Sequence, residues 1–301
     1  MLEALSLTKC YGPAKAVDDL TFTVRPGTVT GFLGPNGAGK STTMRMLIGL
    51  DVPTGGRATV DGRSYADHPA PLHEVGAMLE ARAIHPGRSA RNHLRTLAAT
   101  HGIPGSRVDE VIDLVGLRSV ANRRAGGFSL GMAQRLGIAA ALLGDPATLI
   151  LDEPVNGLDP EGVLWIRTLL KSLAAEGRTV FVSSHLMSEM ALTADHLVII
   201  GRGRLIADCS VAEFTRRSAK NTVLVRTPDA ARLRDRLAGP DVTVTDDGNR
   251  DLIISGLTSE QIGRIAAELQ IVLYQLTDQV ASLEEAFMEQ TKDATEYQAV
   301  A

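Results

Sequence analysis

The sequence predicts an α/β core followed by a small α+β domain, and three observations carry that reading. Short apolar runs alternate with amphipathic stretches early in the chain. A glycine-rich loop joins one such run to a helix, and beyond residue 217 the apolar pattern changes to period-two alternation. Val29 to Leu33 leads into a helix from Lys40, and Leu149 to Leu151 into one from Pro160, the strand-then-helix order of a sheet covered by helices. Strand-like Val180 to Val182 and Leu197 to Ile200 complete the core. Between them, residues 89–145 hold no convincing strand. Leu94, Leu97 and Ala98 share one helical face and Val108, Val111, Ile112 and Val115 another, so a helical insert is expected there. The core closes near Ser218 in a polar stretch, which gives a first domain of residues 1–217.

In residues 221–291, Val223 and Val225, Val242 and Val244, and Leu252 and Ile254 alternate as strands do, with Asp247-Gly248 as a turn signal between the last two. Leu233 and Leu237 sit one helical turn apart. Ile262, Ile265, Ala266 and Leu269 share a face behind a Thr258-to-Gln261 capping box. With Ile271 to Leu276 as a last strand the order is βαββαβ, the ferredoxin-like arrangement. A final helix carries Leu283 and Phe287, and the polar tail 292–301 is expected to be mobile.

At 301 residues, 44% hydrophobic and 22% charged, the chain reads as an ordinary globular protein with room for two cores. No apolar run approaches the roughly 18 residues of a spanning helix, and the N-terminus shows no secretory signal, so the cytoplasm is the expected compartment. Cys10 and Cys209 lie far apart without metal-ligand spacing and are expected to be buried. The net charge of −4 argues against general nucleic-acid binding, with Arg123 and Arg124 as a local basic exception.

GPNGAGKS, from Gly34 through Pro35, Asn36, Gly37, Ala38, Gly39 and Lys40 to Ser41, matches GxxxxGK[ST] between an apolar run and a helix. The glycines let backbone amides turn toward a polyanion and the helix N-terminus adds its dipole. Lys40 reaches the terminal phosphates, Ser41 offers a magnesium ligand, and Thr42 joins the phosphate-binding set. A nucleoside triphosphate is the implied ligand. The run Thr148 to Leu151 ends in Asp152 and Glu153, which places one carboxylate toward the metal and the next toward an attacking water. His185 follows Val180 to Val182 at the end of a strand, where open α/β sheets bind ligands. A neutral imidazole there could bond a phosphate, or could simply cap the next helix. His68 and His93 read as surface residues.

These elements, with FSLGM (Phe128 to Met132), Gly157-Leu158-Asp159 and His185 in the same order, resemble ABC ATPases over residues 1–217. The resemblance implies the P-loop NTPase fold of ABC type, ATP and Mg2+ as cofactors, and a head-to-tail dimer with a second ATPase subunit, a homodimer by expectation. In it Ser129 and Gly131 would meet the γ-phosphate across the interface and Asp159 would link the two sites. Tyr11 resembles the aromatic that stacks on adenine, with a core or surface tyrosine as the alternative. His185 resembles the switch histidine, with Glu153 as the catalytic base. The family signature is LSGGQ, so Leu130 and Met132 depart from it. Glu80, after the strand Val75 to Leu79, stands where a magnesium-binding glutamine is usual and is expected to take its place, the alternative being a solvent-facing glutamate. The C-terminal segment SLEEAFMEQT is similar to the tails of daunorubicin-resistance-type drug-export ATPases. This implies export of a drug, antibiotic or lipid-like molecule through a separate ABC-2-type membrane permease of about six spanning helices. The ATPase would then sit on the inner face of the membrane, with no nucleic acid as partner. A soluble ABC ATPase acting on ribosome or DNA, or a weakly catalytic partner in a heterodimer, are the competing readings.

Overall fold

The computed structural model describes residues 1–80, 83–217, 221–240, 242–246, 251–279 and 281–292. They divide into two units, Met1–Ser210 and Val211–Lys292. In the first, chain order is β1 (Leu2–Tyr11), β2 (Ala14–Val24), β3 (Val29–Leu33), α1 (Lys40–Leu47), β4 (Gly55–Val60), α2 (Pro71–Glu74), β5 (Val75–Met78), α3 (Ala90–Thr100), α4 (Gly105–Leu114), α5 (Leu130–Leu142), β6 (Thr148–Leu151), α6 (Pro160–Ala175), β7 (Thr179–Ser183), α7 (Met187–Thr193), β8 (His196–Gly201) and β9 (Arg204–Ser210).

A six-stranded sheet in the order β5-β6-β7-β3-β8-β9 forms the centre of this unit. It is parallel except for β9. Every residue of β3, β6 and β7 is buried, which is why these strands read as continuous apolar runs rather than as alternation. A three-stranded antiparallel sheet, β2-β1-β4, covers it. Phe22 of the small sheet packs on Phe32 and Phe181 of the large one, with ring centroids 5.7 and 5.6 Å away, and those two rings lie 4.9 Å from each other. Helix α5 lies so close to β5 that a Cβ on Gly76 would fall 2.0 Å from the Ala141 carbonyl oxygen, so no other residue fits there.

The helical insert is α3, α4 and α5. Ala90, Leu94 and Ala98 of α3 and Val108, Val111 and Ile112 of α4 are buried, while Leu97 is half-buried.

The second unit begins at Val211, seven residues before the expected closure at Ser218, because α8 (Val211–Arg216) packs on α11 (Leu283–Gln290) within it. Between them run β10 (Thr222–Arg226), α9 (Ala230–Leu237), β11 (Thr243–Asp246), β12 (Asp251–Ser255), α10 (Ser259–Glu268) and β13 (Gln275–Gln279). The sheet order β11-β12-β10-β13, antiparallel throughout, is the ferredoxin-like one. Leu233, Leu237, Ile262 and Ala266 form its core with Val223, Val225, Leu252 and Ile254. Thr258 and Gln261 form the expected capping box, and Ser282 with Glu285 forms a second. The last strand starts later than Ile271. That residue instead closes α10 by donating its amide to the Ala266 carbonyl, 2.9 Å, and ladder pairing with β10 starts at Gln275. The Asp247-Gly248 turn and the tail beyond Lys292 lie outside the described residues. Cys209 is buried but Cys10 is half-exposed, since its side chain stands on the outer part of β1.

Candidate functional site

The carboxyl ends of three neighbouring strands assemble the site. Pairing of Phe32 with Ser183 and of Leu151 with Val182 sets the ends of β3, β7 and β6 side by side. The loop Gly34 to Gly39, the pair Asp152-Glu153 and the segment Ser183 to His185 therefore share one edge of the sheet, the usual crevice of open α/β folds. Asn36 to Thr42, Ala16, Asp152 and Glu153 line a cleft of about 370 Å3 there. Gly39, at φ 100°, turns the chain into α1 with its own Cβ position pressed against the Ala16 carbonyl, so the loop can close only with glycine at that point.

Within the cleft the polar groups hold one another. Lys40 Nζ donates to the carbonyls of Gly34 at 2.6 Å and Pro35 at 3.1 Å, curling back over the loop. Burial pushes its ammonium below the ordinary lysine range, while the charges of Glu153 and Asp152 pull it up. Ser41 Oγ donates to Asp152 Oδ2 at 2.9 Å. The other Asp152 oxygen accepts from Ser183 Oγ, and that hydroxyl oxygen accepts from the Glu153 amide at 3.0 Å. Glu153 has φ 51°, its carbonyl accepts from Gln134 Nε2 at 2.8 Å, and its Oε2 lies 2.7 Å from His185 Nδ1. Ser41 and Asp152 present two hard oxygens side by side to an open cleft next to the phosphate-binding loop, a donor set that fits magnesium shared with phosphate oxygens.

The remaining expected residues lie elsewhere on the unit. Tyr11 is half-exposed and donates to Asp51 Oδ2 at 3.0 Å, an oxygen that also accepts from Arg45 Nε at 2.8 Å. Ser129 caps α5 by accepting from the Met132 amide, and Asp159 caps α6 by accepting from Gly162; neither they nor Gly131 line the cleft. Leu130 packs over the backbone of Gly157 instead of leaving the open approach a glycine would. Glu80 is exposed and lines a groove with Arg45, Leu50, Ile84 and Leu97. His68 is buried and bonded to the Val60 carbonyl at 3.1 Å, which corrects its surface reading, and His93 is half-buried. Sequence reasoning missed Ser183 and Gln134 as parts of the site. The signal for each is a polar residue at a buried position, at the end of the apolar strand β7 and on the inner face of α5.

Residues 17–156 match the ABC transporter family model, and residues 221–284 match a domain of unknown function, DUF8746. The bacitracin transport ATP-binding protein BcrA of Bacillus licheniformis is 43% identical over 223 residues, 73% of each chain. The chain belongs to the ABC transporter ATP-binding proteins. Among other relatives of this ABC ATPase, the lantibiotic transport ATP-binding protein SrtF of Streptococcus pyogenes is 36% identical over 69% of this chain and 90% of its own. The uncharacterized ABC transporter ATP-binding protein YdbJ of Bacillus subtilis is 31% identical over 97% and 95%. A solved ATP-binding subunit of an ABC transporter superposes with TM-score 0.67 at 28% identity, covering 72% of this chain and 92% of that one. The dimeric MJ0796 cassette bound to ADP and Pi shares the fold, with TM-score 0.64 at 24% identity over 70% and 98%. As an ABC ATPase, the protein binds ATP and hydrolyses it to energise transport.

Proposed function

We propose that this chain is the motor of an ABC-2-type exporter for peptide antibiotics or similarly amphiphilic molecules, working as a head-to-tail dimer on the inner face of the membrane beneath a separate permease. The observation that carries the reading is the convergence of Lys40, Ser41, Asp152, Glu153 and His185 at one strand-end crevice in a chain whose relatives are named for bacitracin and lantibiotic transport. Among the described residues no helix is long and apolar enough to cross a membrane.

The chemistry follows from the side chains. Lys40 exchanges its two carbonyl partners for β- and γ-phosphate oxygens, gaining charge-assisted bonds for neutral ones. Magnesium, held by Ser41 and Asp152, would supply charge neutralisation at the phosphates. Glu153 polarises the water that attacks the γ-phosphorus; as the bond to the β-phosphate oxygen breaks, the water's proton passes toward the carboxylate, leaving ADP and phosphate. His185, already 2.7 Å from Glu153, fixes that carboxylate and offers its second nitrogen to the γ-phosphate. Ser129, Gly131 and Asp159 lie off their own chain's cleft, which supports their acting on the nucleotide of a second subunit. The groove of about 330 Å3 beside Leu50 and Leu97 supports a permease segment as its occupant. Co-expression of the chain with its permease tests the reading. Substrate-stimulated ATPase activity and lower antibiotic susceptibility are expected, and wild-type susceptibility with or without the pair would overturn it.

A further inference from the structure

The helical insert is a strongly basic lobe in an acidic protein. Residues 81–144 contain nine arginines and three carboxylates, a balance of +6 in a chain whose net charge is −4. Each of the three carboxylates is already spoken for: Asp109 pairs with Arg91, Glu110 with Arg107 at 3.1 Å, and Asp113 with Arg118. Arg135 stacks on Trp165 with its guanidinium carbon 4.5 Å from the ring centroid. Of the other five, Arg82 lies outside the described residues, and Arg88, Arg95, Arg123 and Arg124 are all exposed, none with an ion-pair partner among the described residues.

Arg88 and Arg95 line one hollow, and the backbone ties the turn of Arg123 and Arg124 next to it. Arg88, Asn92, Arg95, Thr96 and Ala99 follow the spacing of a single helical stripe along α3 and its approach, and they border one open hollow. The Ala125 amide donates to the Arg88 carbonyl at 2.8 Å, and Ser89 bridges to Arg124. The turn carrying Arg123 and Arg124 is thereby tied to the start of α3. The lining has no aromatic side chain on which a nucleobase could stack, and it contains no carboxylate.

We propose that this arginine face binds the anionic phospholipid headgroups of the membrane under which the ATPase works; the inference rests on the membrane-associated reading above. Four flexible guanidiniums on an open surface suit a diffuse layer of phosphate groups. Held there, the lobe would orient the subunit toward its permease before any protein contact forms.

The test is flotation of the full chain with phosphatidylcholine vesicles, with and without phosphatidylglycerol, at low and physiological salt. Binding is expected only to the anionic vesicles and to weaken with salt. The pairs Arg88→Gln with Arg95→Gln, and Arg123→Gln with Arg124→Gln, should each lower partitioning by about 25-fold, at roughly fivefold per arginine, with ATP binding unchanged as the measure of folding. Equal binding to neutral vesicles, or variants that float like wild type, would overturn the proposal. So would retention of an oligonucleotide in preference to vesicles at the same salt, or abolition of flotation by equimolar inorganic phosphate, which would mark a small-anion site. A chain that couples to its permease yet ignores anionic vesicles sinks this inference alone. One that floats but never couples sinks the exporter reading.

Discussion

Lys40 and Glu153 carry opposite halves of the chemistry, and their variants should separate. Lys40→Ala removes the cation that reaches the phosphates, so ATP affinity should fall by about a hundredfold or more, measured by titration calorimetry, from loss of two charge-assisted bonds. Glu153→Gln keeps the positioning and loses the base; hydrolysis should drop by about 10²- to 10⁴-fold while ATP still binds, and gel filtration should show an ATP-loaded dimer. The state of Lys40 also sets a pH dependence. Burial lowers its pKa in the free protein, and bound phosphates must raise it again. Binding therefore takes up protons on the alkaline side, and affinity weakens as pH rises through the lowered lysine range; calorimetry in two buffers of different ionisation heat reads the proton uptake. Glu80, which lines the groove of Arg45 and Leu97, is tested by magnesium titration: as a metal ligand, its Glu80→Gln variant should need more magnesium for half-maximal hydrolysis, and superimposable curves would place the carboxylate outside the metal shell.

Among the elements, those legible in the sequence are the ones whose apolar pattern is decided by a single environment. β3, β6 and β7 are buried on both faces, and α10 announces its start through Thr258 and Gln261. The small sheet of β1, β2 and β4 was not legible, because its long strands mix buried and exposed positions and their registers are broken by irregularities at Ala4 to Cys10. The site was legible where a motif has fixed spacing, as in Gly34 to Ser41. It was not legible at Ser183 and Gln134, whose roles depend on which strand and helix lie next to β6. Capping gives a prediction at this scale: Ser282→Ala deletes the acceptor for the Glu285 amide and should destabilise the second unit by about 1 kcal/mol, read as a lower urea midpoint.

For the whole molecule, division after Ser210 means that a chain ending there keeps every residue of the cleft, so its ATP affinity should equal that of the full protein in a fluorescence titration. The two sheets of the first unit depend on the Phe22, Phe32 and Phe181 contact, and Phe181→Ala should cost about 3–5 kcal/mol of stability in denaturant unfolding. The left-handed backbone at Glu153 works in the reverse direction. A β-carbon in that conformation raises the free energy of the folded chain by about 1–2 kcal/mol, a cost that glycine would not carry. Glycine there would relieve that strain but lose the His185 contact and add freedom to the unfolded chain, so the strain is carried for turnover rather than for stability.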